Sequence, residues 1–259
     1  MTFVDTHCHL DDAKLKDNLD SIVAKFRAAN VGIVVNIGCD AHTSEIVKSQ
    51  AESLDGVYFA AGIHPMDVKD ARDKDLDKIA ELAKHPKCVA IGEIGLDYYW
   101  DKTFKDKQKE FFGAQIRLAK EAGLPVNIHV RDAMGDAVEI LKSNKENLTF
   151  GGVMHCYSGS KETAKELIKL GLYISFGGTL TFKNAKNAVE VAAAVPIDRI
   201  LTETDSPYLA PEPVRGTVNS PANIPYIAAR LASVRGVDIS EIERAVYNNT
   251  LTLFKKIRA

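Results

Sequence analysis

The chain lacks the sequence features of several protein classes, and these absences narrow its fold and function. Its four cysteines contain no C-x-x-C pair and lie far apart, so we expect small buried thiols rather than a disulfide framework or a zinc ribbon. Residues 1–5 carry no basic segment, and no stretch approaches the roughly 18 consecutive apolar residues of a membrane span. We therefore expect a cytoplasmic protein with no signal peptide and no membrane association.

An excess of positive charge is also missing, because 33 lysines and arginines are opposed by 35 aspartates and glutamates, for a formal net charge of −2. No global positive field would attract nucleic acid, so any affinity for phosphate must come from a local site or from bound cations. A DNA-binding module without catalysis is disfavoured, since the chain has neither that charge nor a basic helix. The composition, 46% hydrophobic and 26% charged, is that of a globular protein.

What the sequence does contain is a regular alternation of short apolar runs and longer amphipathic segments. The apolar runs, rich in β-formers, are residues 2–5, 33–37, 57–62, 89–92, 125–129, 151–155, 172–176 and 199–203. Apolar side chains recur at helical spacing in residues 19–29, 76–84, 107–122, 133–142, 161–170, 185–194, 224–234 and 240–256. This pattern predicts a (β/α)8 TIM-type barrel, a single α/β domain over residues 1–259 with extra C-terminal helices. A doubly wound open sheet is the alternative, because periodicity does not show closure.

Polar side chains that can ligate metals stand at the carboxyl ends of these apolar runs, the face on which barrel enzymes place their active sites. Five of the seven histidines lie at such positions, whereas an isolated strand-end histidine is more often a hydrogen-bonded structural residue. Because the same position recurs on several strands, a metal centre is the better explanation. The candidate ligands are His7, His9, Glu93, His129, His155 and Asp205, and the fifth strand-end histidine is His64.

The number and spacing of these residues predict two metal ions. His7 and His9 are two residues apart, so on an extended strand both imidazoles project to one side and can grip one cation. Four imidazoles and two carboxylates exceed the three protein ligands usual for one catalytic zinc ion, which predicts two cations about 3.5–4 Å apart with a bridging carboxylate. Nitrogen and oxygen ligands suit Zn, Mn, Ni or Co, and Mg where oxygen predominates. A purely structural metal site is disfavoured, because such a site is closed by four protein ligands.

Five motifs occur together and in order. They are residues 4–9 (VDTHCH), 62–65 (GIHP), 91–98 (IGEIGLDY), 155–159 (HCYSG) and 203–207 (ETDSP). On these residues the chain closely resembles the TatD-type metal-dependent deoxyribonucleases, a branch of the amidohydrolase-like barrels, and the resemblance covers essentially the whole chain.

The resemblance implies a barrel with a pair of divalent metal ions. By motif each ion would have its own ligand set, bridged by Glu93: His7, His9, Glu93 and Asp205 for the first ion, and Glu93, His129 and His155 for the second. The implied activity is hydrolysis of phosphodiester bonds in DNA, from the 3′ end of single strands. DNA is then the expected partner, with no obligate protein partner, and we expect a monomer.

Two acidic residues, one ending the eighth run and one just after it, are candidates to accept the proton of an attacking water. Asp205 is also a ligand. Glu203, two residues earlier and on the same side of the strand, is the second candidate, and its alternative role is a hydrogen bond to a ligand histidine. Together with the bridging Glu93 they form the expected catalytic set.

Several residues near the motifs are candidates for contacting the substrate. His64, Arg131 and Arg215 would neutralise phosphate oxygens, although Arg131 is equally suited to an ion pair on the surface. Ser206 has two candidate roles, a hydrogen bond to phosphate and a cap on the next turn. In the aromatic cluster of residues 98–100, Tyr98 is the candidate for stacking on a nucleobase, while its two neighbours are expected to cover the barrel rim.

The loop after the eighth run departs from the family pattern. Many relatives read Arg-Gly-Lys-Arg-Asn-x-Pro there, whereas residues 215–221 read RGTVNSP, so Thr217 and Val218 replace two cations. The loss predicts weaker nonspecific affinity for the DNA backbone and a flatter salt dependence. It favours the alternative function, a metal-dependent hydrolase of a small-molecule or aminoacyl ester or amide, whereas His64 and Arg131 favour phosphate.

Overall fold

A computed structural model of the protein describes residues 1–258, in which strands and helices alternate. The strands are β1 Phe3–Cys8, β2 Val31–Ile37, β3 Val57–Ala61, β4 Cys88–Asp97, β5 Val126–Arg131, β6 Gly152–Met154, β7 Leu172–Phe176 and β8 Ile200–Thr202. The α-helices are α1 Leu19–Ala28, α2 Ala41–Ser53, α3 Asp73–Leu82, α4 Lys105–Ala122, α5 Met134–Ser143, α6 Lys161–Lys169, α7 Lys186–Ala194, α8 Ile224–Arg235 and α9 Ile239–Leu253.

The eight strands form one parallel sheet in chain order, from β1 to β8. The sheet closes where β8 meets β1, and two threonines exchange hydrogen bonds with backbone across this seam. Thr6 Oγ1 donates to the carbonyl of Thr202 at 3.0 Å, and Thr202 Oγ1 donates to the carbonyl of Val4 at 2.9 Å. The predicted TIM-type barrel is therefore confirmed, and the open doubly wound sheet is wrong.

The seam continues past the ends of both strands, at the mouth where the carboxyl ends of the strands meet. The backbone N–H of Asp205 donates to the carbonyl of His7 at 2.9 Å, and the N–H of His9 donates to the carbonyl of Ser206 at 2.8 Å. These bonds fix the segment after β8 directly beside the end of β1. Residues almost two hundred positions apart in the sequence are thereby held as neighbours at one mouth of the barrel.

Helices surround the sheet and bury their apolar faces against it. The two C-terminal helices α8 and α9 pack against β1, and α9 also packs against β8, so they cover the outside of the seam. The side chain of Asp238 caps α9 by accepting a hydrogen bond from the N–H of Ser240 at 2.8 Å. Within residues 1–258 no helix combines the length and the apolarity that crossing a bilayer requires.

Candidate metal centre

The six predicted ligands come from five strand ends and converge at the carboxyl mouth of the barrel. Parallel strands bring their carboxyl ends to one face, which is why residues from distant runs meet there. The ligands on strands are His7 at the end of β1, Glu93 in β4 and His129 in β5, while His9 and His155 directly follow β1 and β6, and Asp205 lies three residues after β8. Gly95 allows β4 to lie close to β5, because a Cβ at this position (φ +141°) would lie 1.9 Å from the carbonyl oxygen of His129.

Glu93 lies at the centre of the cluster, and its two carboxylate oxygens face different histidine pairs. Oε2 is 3.4 Å from His7 Nε2 and 3.6 Å from His9 Nε2. Oε1 is 2.9 Å from His129 Nδ1 and 3.0 Å from His155 Nε2. Glu93 therefore contributes one carboxylate oxygen to each of two groups of donor atoms.

Asp205 completes the group around Oε2. Its Oδ1 is 3.5 Å from His9 Nε2 and 3.8 Å from His7 Nε2. We call His7, His9, Asp205 and Glu93 Oε2 the first donor set. The second donor set consists of His129, His155 and Glu93 Oε1.

Hydrogen bonds to the outer ring nitrogens orient the imidazoles of the first donor set. His7 Nδ1 lies 3.1 Å from Asn127 Oδ1, and His9 Nδ1 lies 3.1 Å from the carbonyl oxygen of Ile37. Both partners only accept, so each Nδ1 carries the proton and each Nε2 presents a lone pair to the cluster. A buried amide and a backbone carbonyl thus select the tautomer that can bind a cation.

Carboxylates perform the same task in the second donor set. His129 Nε2 donates to Asp97 Oδ2 at 3.1 Å, which leaves Nδ1 free to face Glu93. His155 Nδ1 faces Glu203 Oε1 at 3.6 Å, and the backbone N–H of Cys156 donates to that same oxygen. His129 therefore has a hydrogen-bonded acceptor behind it, whereas His155 has a carboxylate facing its outer nitrogen at 3.6 Å, just beyond hydrogen-bonding distance.

The chemistry of the donors fits a metal centre. His7 Nε2 and His9 Nε2 are 3.2 Å apart, and His129 Nδ1 and His155 Nε2 are 3.1 Å apart. With the outer nitrogens protonated, no hydrogen bond joins either pair, and lone pairs converge with a carboxylate, an arrangement that repels itself unless a cation lies between. Donors 2.0–2.1 Å from one ion are separated by about 3.3 Å in a tetrahedron and by about 2.9 Å at right angles, so each set can surround one divalent ion.

Burial and neighbouring charges act in opposite directions on the central carboxylate. Burial alone would raise the pKa of Glu93, but the imidazoles of His155 and His7, when both of their ring nitrogens are protonated, outweigh it and hold the pKa well below its usual range. Burial would also raise the pKa of Asp205, but a His9 imidazole protonated on both nitrogens donates to it and lowers the pKa. Both carboxylates are therefore ionised at neutral pH and available as ligands.

His64 joins the cluster as a neutral donor. Burial lowers the pKa of this histidine to about 3, despite the nearby charge of Glu93. Its Nδ1 accepts a hydrogen bond from the N–H of Met66 at 3.1 Å, so the proton resides on Nε2, which lies 3.8 Å from Glu93 Oε1. Since His64 lines the cavity above the cluster, this N–H can donate to a bound anion.

The cluster forms the floor of a cavity of about 600 Å³, within the range of small-molecule sites. Arg131, the last residue of β5, and Trp100, which follows β4, line one side. Asp11 and Asp12, which follow β1, also line the cavity. Because strands one and five lie across from each other in an eight-stranded barrel, one rim carries a cation and an aromatic ring, and the opposite rim carries carboxylates.

Four other predicted site residues do not line this cavity. Glu203 is fully buried beneath His155. Ser206 is buried in the seam, where its hydroxyl accepts from Thr204 Oγ1 at 3.0 Å. Tyr98 is also buried, because its ring packs into the core and its hydroxyl donates to Asp136 Oδ2 at 2.7 Å. Arg215 lies outside, with its guanidinium 4.2 Å from the ring centre of Phe182.

The expected division of roles within the aromatic cluster is wrong. Tyr98 was the residue expected to face the substrate, yet it is the buried member, because β4 extends to Asp97 and turns Tyr98 into the core. Tyr99 and Trp100 are 51% and 66% exposed, and Trp100 lines the cavity. Arg131 stacks on Tyr99, with 3.8 Å between guanidinium and ring centre, rather than forming the surface ion pair that was its alternative.

The sequence analysis missed one residue that supports a ligand histidine. Asn127 lies on β5, two residues before His129, and its hydrogen bond fixes the tautomer of His7. A polar residue at that spacing inside an apolar strand shares the inward face with the ligand, which is a usable signal. Asp97, four residues beyond Glu93, supports His129 in a similar way by accepting a hydrogen bond from its Nε2.

Comparisons with known proteins agree with this geometry. A family model described as TatD related DNase matches residues 4–255. The uncharacterized metal-dependent hydrolase YabD of Bacillus subtilis is 44% identical over 251 residues, which are 97% of this chain and 98% of the relative. The corresponding hydrolase YcfH of Escherichia coli is 38% identical over 257 residues, which are 98% and 96% of the two chains. The crystal structure of YjjV, a TatD homolog from Escherichia coli, superposes with a TM-score of 0.93 at 32% identity, covering 98% of each chain.

Proposed function

Since this chain belongs to the TatD related DNase family and is a metal-dependent hydrolase, we propose that it hydrolyses phosphodiester bonds at the 3′ ends of single-stranded DNA. The observation that carries the proposal is the division of Glu93 between two donor sets, with Oε2 facing His7 and His9 and Oε1 facing His129 and His155. A bridging carboxylate of this kind suits a pair of cations. All the donors come from one chain, so a monomer suffices.

Two divalent cations held by these donor sets would neutralise a phosphodiester and lower the pKa of the attacking water. Mg, Mn, Zn, Ni and Co all suit nitrogen and oxygen donors of this type. The protein's part is to hold six donors in place through acceptors such as Asn127 and Asp97, so that little rearrangement accompanies binding.

Two side chains around the cavity are suited to bind the phosphate. The Nε2–H of His64 faces the cavity, and this histidine stays neutral at any physiological pH because its pKa is about 3. Arg131 lines the same cavity and supplies a permanent charge. Together they hold two non-bridging oxygens while leaving the phosphorus open to attack from the floor of the cavity.

Asp205 is the residue we propose to accept the proton of the attacking water. Its Oδ1 faces His9 and His7, so Oδ2 is the oxygen available for the proton. Glu203 is unsuited to this step, because it lies beneath His155 and is fully buried. We assign Glu203 instead to holding His155 in the ligating orientation.

The test is a hydrolysis assay with single-stranded oligodeoxynucleotides labelled at either end. We expect shortening from the 3′ end with Mg²⁺ or Mn²⁺ and none after treatment with EDTA. Glu93→Gln should lower the rate by at least about 100-fold, because the neutral amide no longer bridges two cations. The matched control is Glu110→Gln, an exposed glutamate of α4 whose replacement should leave the rate unchanged.

Two results would contradict the proposal. Full activity of Glu93→Gln would show that the carboxylate does not bridge the cations that the reaction needs. Turnover of aminoacyl esters, amides or phosphomonoesters, with no turnover of DNA under any of the five metals, would assign the same centre to a different bond.

A further inference from the structure

The turn after β4 carries two exposed aromatic side chains and is tied to the metal centre. Asp97, the acceptor for His129, uses its other oxygen Oδ1 to accept from the N–H of Tyr99 at 2.8 Å and from that of Trp100 at 3.4 Å. One carboxylate therefore positions both a ligand histidine and the backbone from which the aromatic rings project. The positions of the Tyr99 and Trp100 rings are therefore fixed relative to the metal centre.

Trp100 is the single tryptophan of the chain and is 66% exposed. Its ring lies edge-to-face with that of Tyr99, at 4.8 Å between centres, and lines the cavity. A large ring open to solvent next to a cavity is usually a contact surface for a ligand rather than part of the core.

Arg131 completes this side of the cavity. Its guanidinium stacks at 3.8 Å on the Tyr99 ring and lies 5.4 Å from the centre of the Trp100 ring. No ion pair among residues 1–258 includes Arg131, so no carboxylate neutralises its charge. Stacking on Tyr99 holds the guanidinium in place and leaves its N–H groups for an anion.

The opposite rim is less favourable for a negatively charged strand. Asp11 and Asp12 line the cavity there, and Asp12 accepts a hydrogen bond from the hydroxyl of Tyr208 at 2.7 Å. A phosphate backbone is repelled by these carboxylates and attracted by Arg131, which favours its approach across the rim that carries Trp100.

We infer that Trp100 is the binding surface for the nucleobase of the terminal nucleotide, whose phosphate Arg131 engages. This inference rests on the proposed nuclease function and deepens it by naming a specificity subsite. An indole ring can stack on every base, because each base has a π face. The subsite would therefore favour nucleotides over other esters without favouring any base sequence.

A binding experiment tests this inference without hydrolysis. Because Trp100 is the sole tryptophan, its fluorescence reports on this position alone. A short oligodeoxythymidylate, added in EDTA, should quench the emission, whereas the same oligonucleotide lacking its 3′-terminal base should not. Equal quenching by both, or by neither, would overturn the inference.

Kinetics with Mg²⁺ provide the second arm. Trp100→Ala should raise KM for the complete oligonucleotide on the order of 10-fold, and Trp100→Phe should raise it less. For the oligonucleotide without its terminal base, wild type and Trp100→Ala should have the same KM. The matched control is Phe150→Ala, an exposed aromatic residue before β6 at the other mouth of the barrel, which should leave both values unchanged.

The two arms separate failure of this inference from failure of the proposed function. If Trp100→Ala raises KM equally for both oligonucleotides, or for neither, Trp100 does not bind the base even though the protein is a nuclease. If wild type hydrolyses no DNA with any metal, the nuclease proposal fails, and the fluorescence titration alone decides whether Trp100 binds a base.

Discussion

Replacing Asp97 by asparagine should weaken metal binding and slow hydrolysis through the tautomer of His129. The carboxylate accepts from His129 Nε2 with one oxygen and from the N–H of Tyr99 with the other. An asparagine has one oxygen for these two donors. If the oxygen stays with Tyr99, the amide NH₂ faces His129 Nε2 and favours the tautomer that is protonated on Nδ1. Nδ1 then has no lone pair to offer to a cation beside Glu93.

The size of the effect follows from the hydrogen bond that is lost. A hydrogen bond to a charged group contributes about 1.5–3 kcal/mol. At 3.1 Å the contact is longer than the usual 2.7–2.9 Å of a charge-assisted bond, which places it near the lower figure. About 1.5 kcal/mol corresponds to roughly a tenfold weaker affinity for the ion of the second donor set, at the lower end of the effects expected when the partner of a ligand histidine is removed.

The assay is a titration of hydrolysis against Mn²⁺ concentration, starting from protein freed of metal. Asp97→Asn should raise the half-saturating Mn²⁺ concentration by about tenfold and should also lower the rate at saturating Mn²⁺. Asp101→Asn is the matched control, since Asp101 is partly exposed in the same turn and accepts only from the N–H of Thr103. An unchanged Mn²⁺ dependence in Asp97→Asn would refute the role assigned to this hydrogen bond.

Three further predictions follow from buried side chains. Glu203→Gln should lower kcat about tenfold with little change in KM, because its carboxylate orients His155 rather than contacting substrate, and a change in KM alone would contradict this. Burial raises the pKa of Asp5 from 3.8 to about 7 although Thr204 donates to it, so the ionised form is disfavoured in the folded protein. The free energy of unfolding of wild type, relative to Asp5→Asn, should therefore fall as the pH rises from about 4 to about 7, and chemical denaturation at several pH values measures it. Phe112→Ala should lower the unfolding free energy by about 3–5 kcal/mol, because this ring of α4 is fully buried, and urea denaturation checks the value.

The barrel was predictable from the sequence because its strands are buried on both faces and read as apolar runs that end in polar residues. His7, His9 and Asp205 were recognisable because they stand where such runs stop. Helix α2 (Ala41–Ser53) was not singled out, since its buried face consists of Ser44, Val47 and Ala51, which give little apolar contrast. Strand periodicity also misjudged lengths: β4 spans Cys88–Asp97 instead of residues 89–92, and β8 only Ile200–Thr202 instead of residues 199–203.

The finer features of the site depend on contacts that a linear pattern does not contain. Asn127 and His7 are 120 positions apart, so their hydrogen bond follows from strand order and from the direction of each side chain. Tyr98 and Trp100 are both aromatic and two residues apart, and only the turn that begins after Asp97 decides which one is buried. Exposure of neighbouring residues within a turn depends on its backbone path rather than on residue type.

The hydrogen-bonded seam between β1 and the segment after β8 also has a consequence for the order in which the site forms. His7 and His9 emerge from the ribosome early in translation, but Asp205 emerges only when most of the chain has been made. Until then the nascent β1 can pair with β2 but not with β8, and the first donor set lacks the carboxylate of Asp205. Acquisition of a cation by this set would therefore be a late event in biogenesis, and the bound ion would link the parts of the barrel that are synthesised first and last.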